Sequence, residues 1–142
     1  MVPDRSGAIV VDSSFLIAYH NTRDVHHASA ARTMVHLAAG KWGRVLLLEY
    51  VFLEVVTVLL ARLGHERAVE VGTTLLAAEE VDFVPCSELF LDVLQEFTNQ
   101  RVGTLSFVDA AIAVAARNRA AGRIATFDTD FRGLPGLTII SS

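Results

Sequence analysis

Ala8-Ile9-Val10-Val11-Asp12-Ser13-Ser14 is an unbroken run of strand-forming residues ending in a carboxylate and two hydroxyls, and a helix-like run follows from Phe15 to Tyr19. A strand with no polar alternation is buried on both faces, as in parallel sheets covered by helices. Such sheets bind ligands beyond the carboxyl ends of their strands, which is where Asp12 stands. Asp12, Ser13 and Ser14 are also favoured N-cap residues, so capping of the next helix explains this stretch equally well on its own. The rest of the chain has to decide between the two.

That remainder alternates helix and strand. Asp24 to Ala39 sets Val25, Ala28, Ala31, Val35, Leu37 and Ala38 among His26, His27, Arg32 and His36, a helix with one wet face ended by Gly40. After a turn over Lys41 to Gly43, Arg44 to Leu48 predicts a short strand. Glu49 or Tyr50 begins a helix that runs to Leu63 and stops at Gly64, and His65 to Ala78 forms another. Val81 to Val84 is a strand closed by Pro85, Ser87 to Thr98 a helix capped by Ser87, and Asn99 to Gly103 a polar loop. Ser106 to Ala121 is an Ala-rich helix, Arg123 to Thr126 a strand, Phe127 to Gly136 a loop, and Leu137 to Ile140 the last strand. Strands separated by helices predict an α/β domain with a mostly parallel sheet. Without a repeat, low-complexity tract or linker, residues 1–142 read as one domain with Met1 to Gly7 as a flexible lead-in.

Composition narrows the class. The 142 residues are 52% hydrophobic and 20% charged, which suits a chain with a sizeable core. The lead-in has no apolar stretch and is not a signal peptide, so the expected location is the cytoplasm. Cys86 is the only cysteine, which excludes an intrachain disulfide and agrees with a reducing compartment. The longest apolar stretch, Val45 to Ala61, contains Glu49 and Glu54 and therefore reads as core, not as a membrane span. A net charge of −4 argues against a nucleic-acid partner. Setting aside Asp12, Glu54, Asp109 and Asp128, however, leaves 12 acids against 12 bases, so cations held by those four would remove the objection.

Those acids have little local support. Glu54 sits in a helix that is apolar except at Thr57, and its neighbours Tyr50, Val51, Thr57 and Val58 include no base. A carboxylate buried there needs an arginine from elsewhere or a metal. Asp109 follows Ser106 in the spacing of a capping box, and Asp128 and Asp130 follow a short strand where Asx turns form, so both have ordinary local roles as well. Two strand tips, one helix start and one helix interior can deliver acids to a single crevice of a parallel sheet. Without cations they raise one another's pKa. Oxygen-rich sites of this kind suit Mg²⁺ or Mn²⁺, and such ions serve the hydrolysis of phosphodiesters.

Four segments carry a resemblance: Asp12-Ser13-Ser14-Phe15-Leu16-Ile17, Phe52-Leu53-Glu54-Val55, Leu105-Ser106-Phe107-Val108-Asp109-Ala110 and Thr126-Phe127-Asp128-Thr129-Asp130-Phe131. In order, spacing and context the chain resembles the PIN-domain ribonucleases, and among them the VapC-type toxins of toxin–antitoxin pairs. Each motif alone is weak, but the ordered set is specific. The resemblance implies a five-stranded parallel sheet flanked by helices, a Mg²⁺ or Mn²⁺ site, cleavage of RNA, dimerisation, and inhibition by a VapB-like antitoxin through which alone DNA would be met. It makes Asp12, Glu54, Asp109 and Asp128 the catalytic and metal-binding acids, with Asp130 beside the metal directly or through water. Ser14 becomes the hydroxyl that steadies the site.

Other readings fit less well. A receiver-type phosphoacceptor needs a lysine after a late strand, whereas the sole lysine here is Lys41 in an early turn. Haloacid-dehalogenase-like phosphatases need an Asp where this chain has Ser14. Metal-free RNA cleavage would need two of His20, His26, His27, His36 and His65, which lie in the first half without an evident acidic partner. The non-enzymatic alternative is a silent or non-toxin PIN-like subunit acting through protein and DNA binding. Retention of all four acids weighs against it.

Overall fold

Strand β1 (Ala8–Val11) is the centre of the molecule, with Ile9 and Val10 wholly buried because β1 is paired on both edges and covered on both faces. The computed structural model describes residues 7–101 and 103–141, so the expected lead-in lies outside the described residues except for Gly7. The sheet has the order β3-β2-β1-β4-β5 and every pairing is parallel, with β2 Arg44–Leu48, β3 Val81–Val84, β4 Arg123–Ala125 and β5 Thr138–Ile140. This is the parallel, helix-flanked sheet that the sequence predicts.

The order explains where a site can form. From β1 the chain builds outward to β2 and β3 on one side, and later returns to place β4 against the other edge of β1. Connections therefore diverge beyond the carboxyl ends of β1 and β4, leaving a crevice at the switch point. Asp12 directly follows β1, and Thr126 to Asp128 directly follow β4. The backbone holds the two tips in register, since Asp12 N donates to Ala125 O at 3.0 Å.

The helices are α1 (Ser13–His20), α2 (His27–Ala38), α3 (Glu49–Leu63), α4 (His65–Ala77), α5 (Phe90–Asn99) and α6 (Phe107–Arg119). Two boundaries differ from the sequence reading by three residues, and the others by two or fewer. Asp24 to His26 is a turn rather than the start of α2, because the Asp24 side chain accepts from His26 N at 2.9 Å in an Asx arrangement. Ser87–Leu89 forms a separate 3₁₀ turn ahead of α5. Seven consecutive residues of α6, Ala110 to Ala116, are buried, and five are alanine, so the helix lies close against β1 and β4 without side chains to hold it off. That close approach carries Asp109, in its first turn, to the edge of the crevice. Gly122, which leads into β4, has φ +80°, and a Cβ there would lie 1.9 Å from Gly136 O, so the turn that aims β4 admits only glycine.

Candidate active site

Asp12 is only 5% exposed, and both oxygens of its carboxylate accept hydrogen bonds. Oδ1 accepts from Ser13 N at 2.8 Å, which makes Asp12 the N-cap of α1. Oδ2 accepts from Thr126 Oγ1 at 2.6 Å and from Ser14 Oγ at 3.0 Å. The two hydroxyls are in turn steadied by the backbone that follows β4: Phe127 N donates to Ser14 Oγ and Asp128 N to Thr126 Oγ1, both at 3.0 Å. One small network thus ties the tip of β1 to the loop after β4. Burial pushes the Asp12 carboxyl above the ordinary aspartate range, against the pull of the Thr126, Ser14 and Ser13 hydrogen bonds, and the charge of Asp128 pushes it the same way as burial.

Thr126 is the residue that sequence reading missed. Its motif was visible, but a wholly buried threonine at a strand end looks like an ordinary β-former. Only the pairing of β1 with β4 reveals its partner, 114 positions away. Replacing Thr126 with valine keeps the shape and removes both the donor to Asp12 and the acceptor for Asp128 N. Losing a partner that orients a metal-ligating carboxylate costs about 10–100-fold in metal affinity or activity. Thr126→Val is expected to show a loss of that size in a Mn²⁺ titration while Thr126→Ser stays near wild type; equal behaviour of the two variants would remove the positioning role.

Asp109 fulfils its capping-box role: Ser106 Oγ accepts from Asp109 N at 3.0 Å, and Ser106 N donates to Asp109 Oδ2 at 3.4 Å. Its half-buried carboxyl is nevertheless raised, first by burial and further by the charges of Asp128 and Asp12. Asp128 likewise makes the Asx contact, its Oδ1 accepting from Asp130 N at 2.9 Å. Its Oδ2 has no hydrogen-bond donor among the described residues. Capping and site formation therefore coexist, because a carboxylate has more acceptor capacity than one cap uses.

Asp12, Ser14, Glu54, Asp109 and Asp128 line one cleft of about 680 Å³, together with Tyr50, Arg62 and His26. The tightest oxygen cluster is Asp109, Asp128 and Asp130, with one ligand atom from each lying within 4.8 Å of the others. Asp130 is exposed and approaches from outside the cleft lining, while Asp12 and Glu54 line the cleft outside this cluster. For Glu54 the premise of burial is corrected. Helix α3 buries Val51, Val55 and Leu59, and Glu54 lies on the exposed cleft wall with Val58 and Arg62, so it needs no buried partner. Among the described residues none of the five acids is in a salt bridge.

The histidines separate clearly. Burial, with Arg67 nearby, lowers His20 to about 4 and outweighs the opposing pull of Glu70, so its ring is neutral near neutral pH. Nδ1 of His27 lies 2.9 Å from Ala18 O, and His36 stands edge-on to Trp42. Only His26 reaches the acidic cleft, and a histidine acid–base pair needs two.

The chain thus has a crevice at the switch point of a five-stranded parallel sheet, lined by acids from the tip of β1, from α3 and α6, and from the loop after β4. Residues 9–137 match the PIN domain family, and the chain belongs to it. Within that family the likeness is to VapC proteins. A VapC ribonuclease of Archaeoglobus fulgidus is 31% identical over 52 residues, a match covering 37% of this chain and 33% of that protein. The chain thus spans about a third of the length of that curated relative. In structure it is similar to Mycobacterium tuberculosis VapC20, a Sarcin-Ricin loop cleaving toxin, with TM-score 0.77 and 28% identity over 91% of this chain and 96% of that one. Among the described residues no helix is long and apolar enough to cross a membrane.

Proposed function

We propose that this chain is a divalent-metal-dependent endoribonuclease acting as the toxin of a toxin–antitoxin pair, with residues 1–142 working as one domain. The observation that carries this reading is the convergence of Asp12, Asp109 and Asp128 with Glu54 on one cleft, unpaired with any base among the described residues, where burial first and neighbouring acids second raise the Asp12 and Asp109 carboxyls. Hard carboxylate oxygens at this density fit Mg²⁺ or Mn²⁺. Asp109, Asp128 and Asp130 would hold the ion together with Asp12, and Glu54 of the same cleft would complete the set. When bound, the ion supplies Lewis acidity, a more acidic water and compensation of phosphate charge.

The chain's own residues supply the rest. Ser14 and Thr126 hold the Asp12 carboxylate in one orientation, so no reorganisation is needed as charge develops. A carboxylate of the set accepts the proton of the attacking water. Arg62, whose guanidinium is in no salt bridge among the described residues, offers the cleft a cation for the phosphate. Purified protein should cut RNA with Mg²⁺ or Mn²⁺ and stop in EDTA, with Asp12→Asn as the contamination control. Cleavage that continues in EDTA, or that Asp12→Asn retains, would overturn the reading.

A homodimer and a VapB-like antitoxin, the latter alone contacting DNA, belong to the same proposal. Support comes from exposed apolar side chains on the outer helices, among them Leu76 at 63%, Leu91 at 85% and Leu94 at 52% exposed. Surface of that kind favours association. Size exclusion with light scattering is expected to show a dimer at roughly tens of micromolar, and a clean monomer there would remove the dimer.

A further inference from the structure

The mouth of the acidic cleft carries an aromatic ladder that the hydrolytic machinery does not use. Phe15, wholly buried, stacks on Phe127 at 6.2 Å between ring centroids with 23° between planes, and Phe127 lies parallel to His26 at 4.3 Å with only 4° between planes. The ladder ends at the surface. His26 is exposed, its ring stacks on Phe127, and the ring makes no hydrogen bond among the described residues. Phe127 is also registered to the acids, because its backbone N–H is held by Ser14, the hydroxyl bonded to Asp12.

His26, Phe127 and Asp128 line both the acidic cleft and a second recess of about 280 Å³, which also contains Arg132, Thr129 and Ser29. Arg132 is exposed and in no salt bridge among the described residues. An exposed aromatic ring shared by the acidic cleft and a recess that holds an unpaired guanidinium is of little use to the fold. It is the pattern by which single strands are held: a π-face for the base and a cation for the phosphate.

We infer that the His26–Phe127 stack is a nucleobase platform: the base of a nucleotide flanking the scissile bond stacks on His26, and the adjoining phosphate enters the recess beside Arg132. The inference rests on the ribonuclease reading and adds to it the subsite that sets which nucleotide lies next to the cut. His26 acts by stacking and transfers no proton.

The test uses a fluorescein-labelled single-stranded RNA with one mapped cleavage site. Base–aromatic stacking is worth roughly 5- to 150-fold per base, so His26→Ala should lose that much in kcat/KM, chiefly through KM, while His26→Phe stays within about twofold of wild type. An abasic nucleotide beside the scissile bond should cost wild type a similar factor and cost His26→Ala nothing further. Arg132→Gln should lower the slope of log affinity against log salt by about 0.7. Wild-type kinetics in His26→Ala, an equal loss in His26→Phe, or no abasic position coupled to residue 26 would overturn the platform, and an unchanged salt slope would remove the Arg132 recess. Melting temperatures of the variants control for folding. If wild type leaves RNA intact, the ribonuclease reading fails, while fluorescence anisotropy that still depends on residue 26 would sustain the platform; absence of RNA binding overturns both.

Discussion

RNA fragments released by this protein are expected to end in a 5′-phosphate and a 3′-hydroxyl. With Asp12, Glu54, Asp109 and Asp128 around the cleft and His26 its only histidine, the proposed mechanism makes water the nucleophile in place of the 2′-hydroxyl. In-line attack forms the new oxygen–phosphorus bond, the water proton passes to a carboxylate, and the bond to the 3′-oxygen breaks, that oxygen taking a proton from solvent. Attack by the 2′-hydroxyl would leave a 2′,3′-cyclic phosphate and a 5′-hydroxyl. A single 2′-deoxy or 2′-methoxy nucleotide on the 5′ side of the scissile bond should therefore still permit cleavage. Asp12→Asn should lower the rate by at least about 100-fold, the upper end of what disturbing a metal site's support costs. Mass spectrometry of the fragments decides the point, and cyclic phosphate ends would end the carboxylate mechanism.

Asp109→Asn should leave the metal-free protein as stable as wild type or more so, and should abolish most of the stabilisation by Mn²⁺. In the folded chain the Asp109 and Asp12 carboxyls are raised, chiefly by burial and further by neighbouring acids. Between the ordinary aspartate value of 3.8 and the raised values, the folded state binds more protons than the unfolded one. Their contribution to stability is thus complete below the ordinary value and is lost as pH rises through the raised ones. Metal-free wild type should melt higher as pH falls from 7 toward that window, and Asp109→Asn should show a shallower rise. A ligand present at 100 times its Kd stabilises by about 2.7 kcal/mol, or roughly 5–10 °C for a chain of this size. Wild type should gain that with Mn²⁺ and the variant little of it. A metal-free Asp109→Asn protein melting several degrees below wild type would make Asp109 a structural cap alone. Asp12→Asn is the less clean probe, because Asp12 accepts three strong hydrogen bonds that an amide cannot reproduce.

The predictions draw unequally on sequence and structure. The period of apolar residues was enough to read β1, β2 and the helix pair stopped at Gly64, and β2 falls on the same residues in both readings. Local chemistry was legible too: the Ser106 and Asp109 capping box and the Asx contact of Asp128 both form, since they depend on spacings of two or three residues, whereas Asp24, which makes an Asx contact, reads in sequence as the start of a helix. The ordered acidic motifs identified the family before any coordinates. Sequence alone put Glu54 in the wrong environment, because an apolar helix can be apolar on a face that the fold leaves open, and only packing decides which face is covered.

What tertiary structure alone decided is everything that joins distant segments. It made Asp109, Asp128 and Asp130 the tight oxygen cluster, with Asp12 and Glu54 lining the same cleft outside that cluster. It brought Thr126 to Asp12 across 114 positions, and set His26 on Phe127. These contacts leave no periodicity in the chain. They exist because β4 returns to the free edge of β1, and a parallel pairing of that kind brings to one crevice residues that share nothing in sequence except the strand ends they follow.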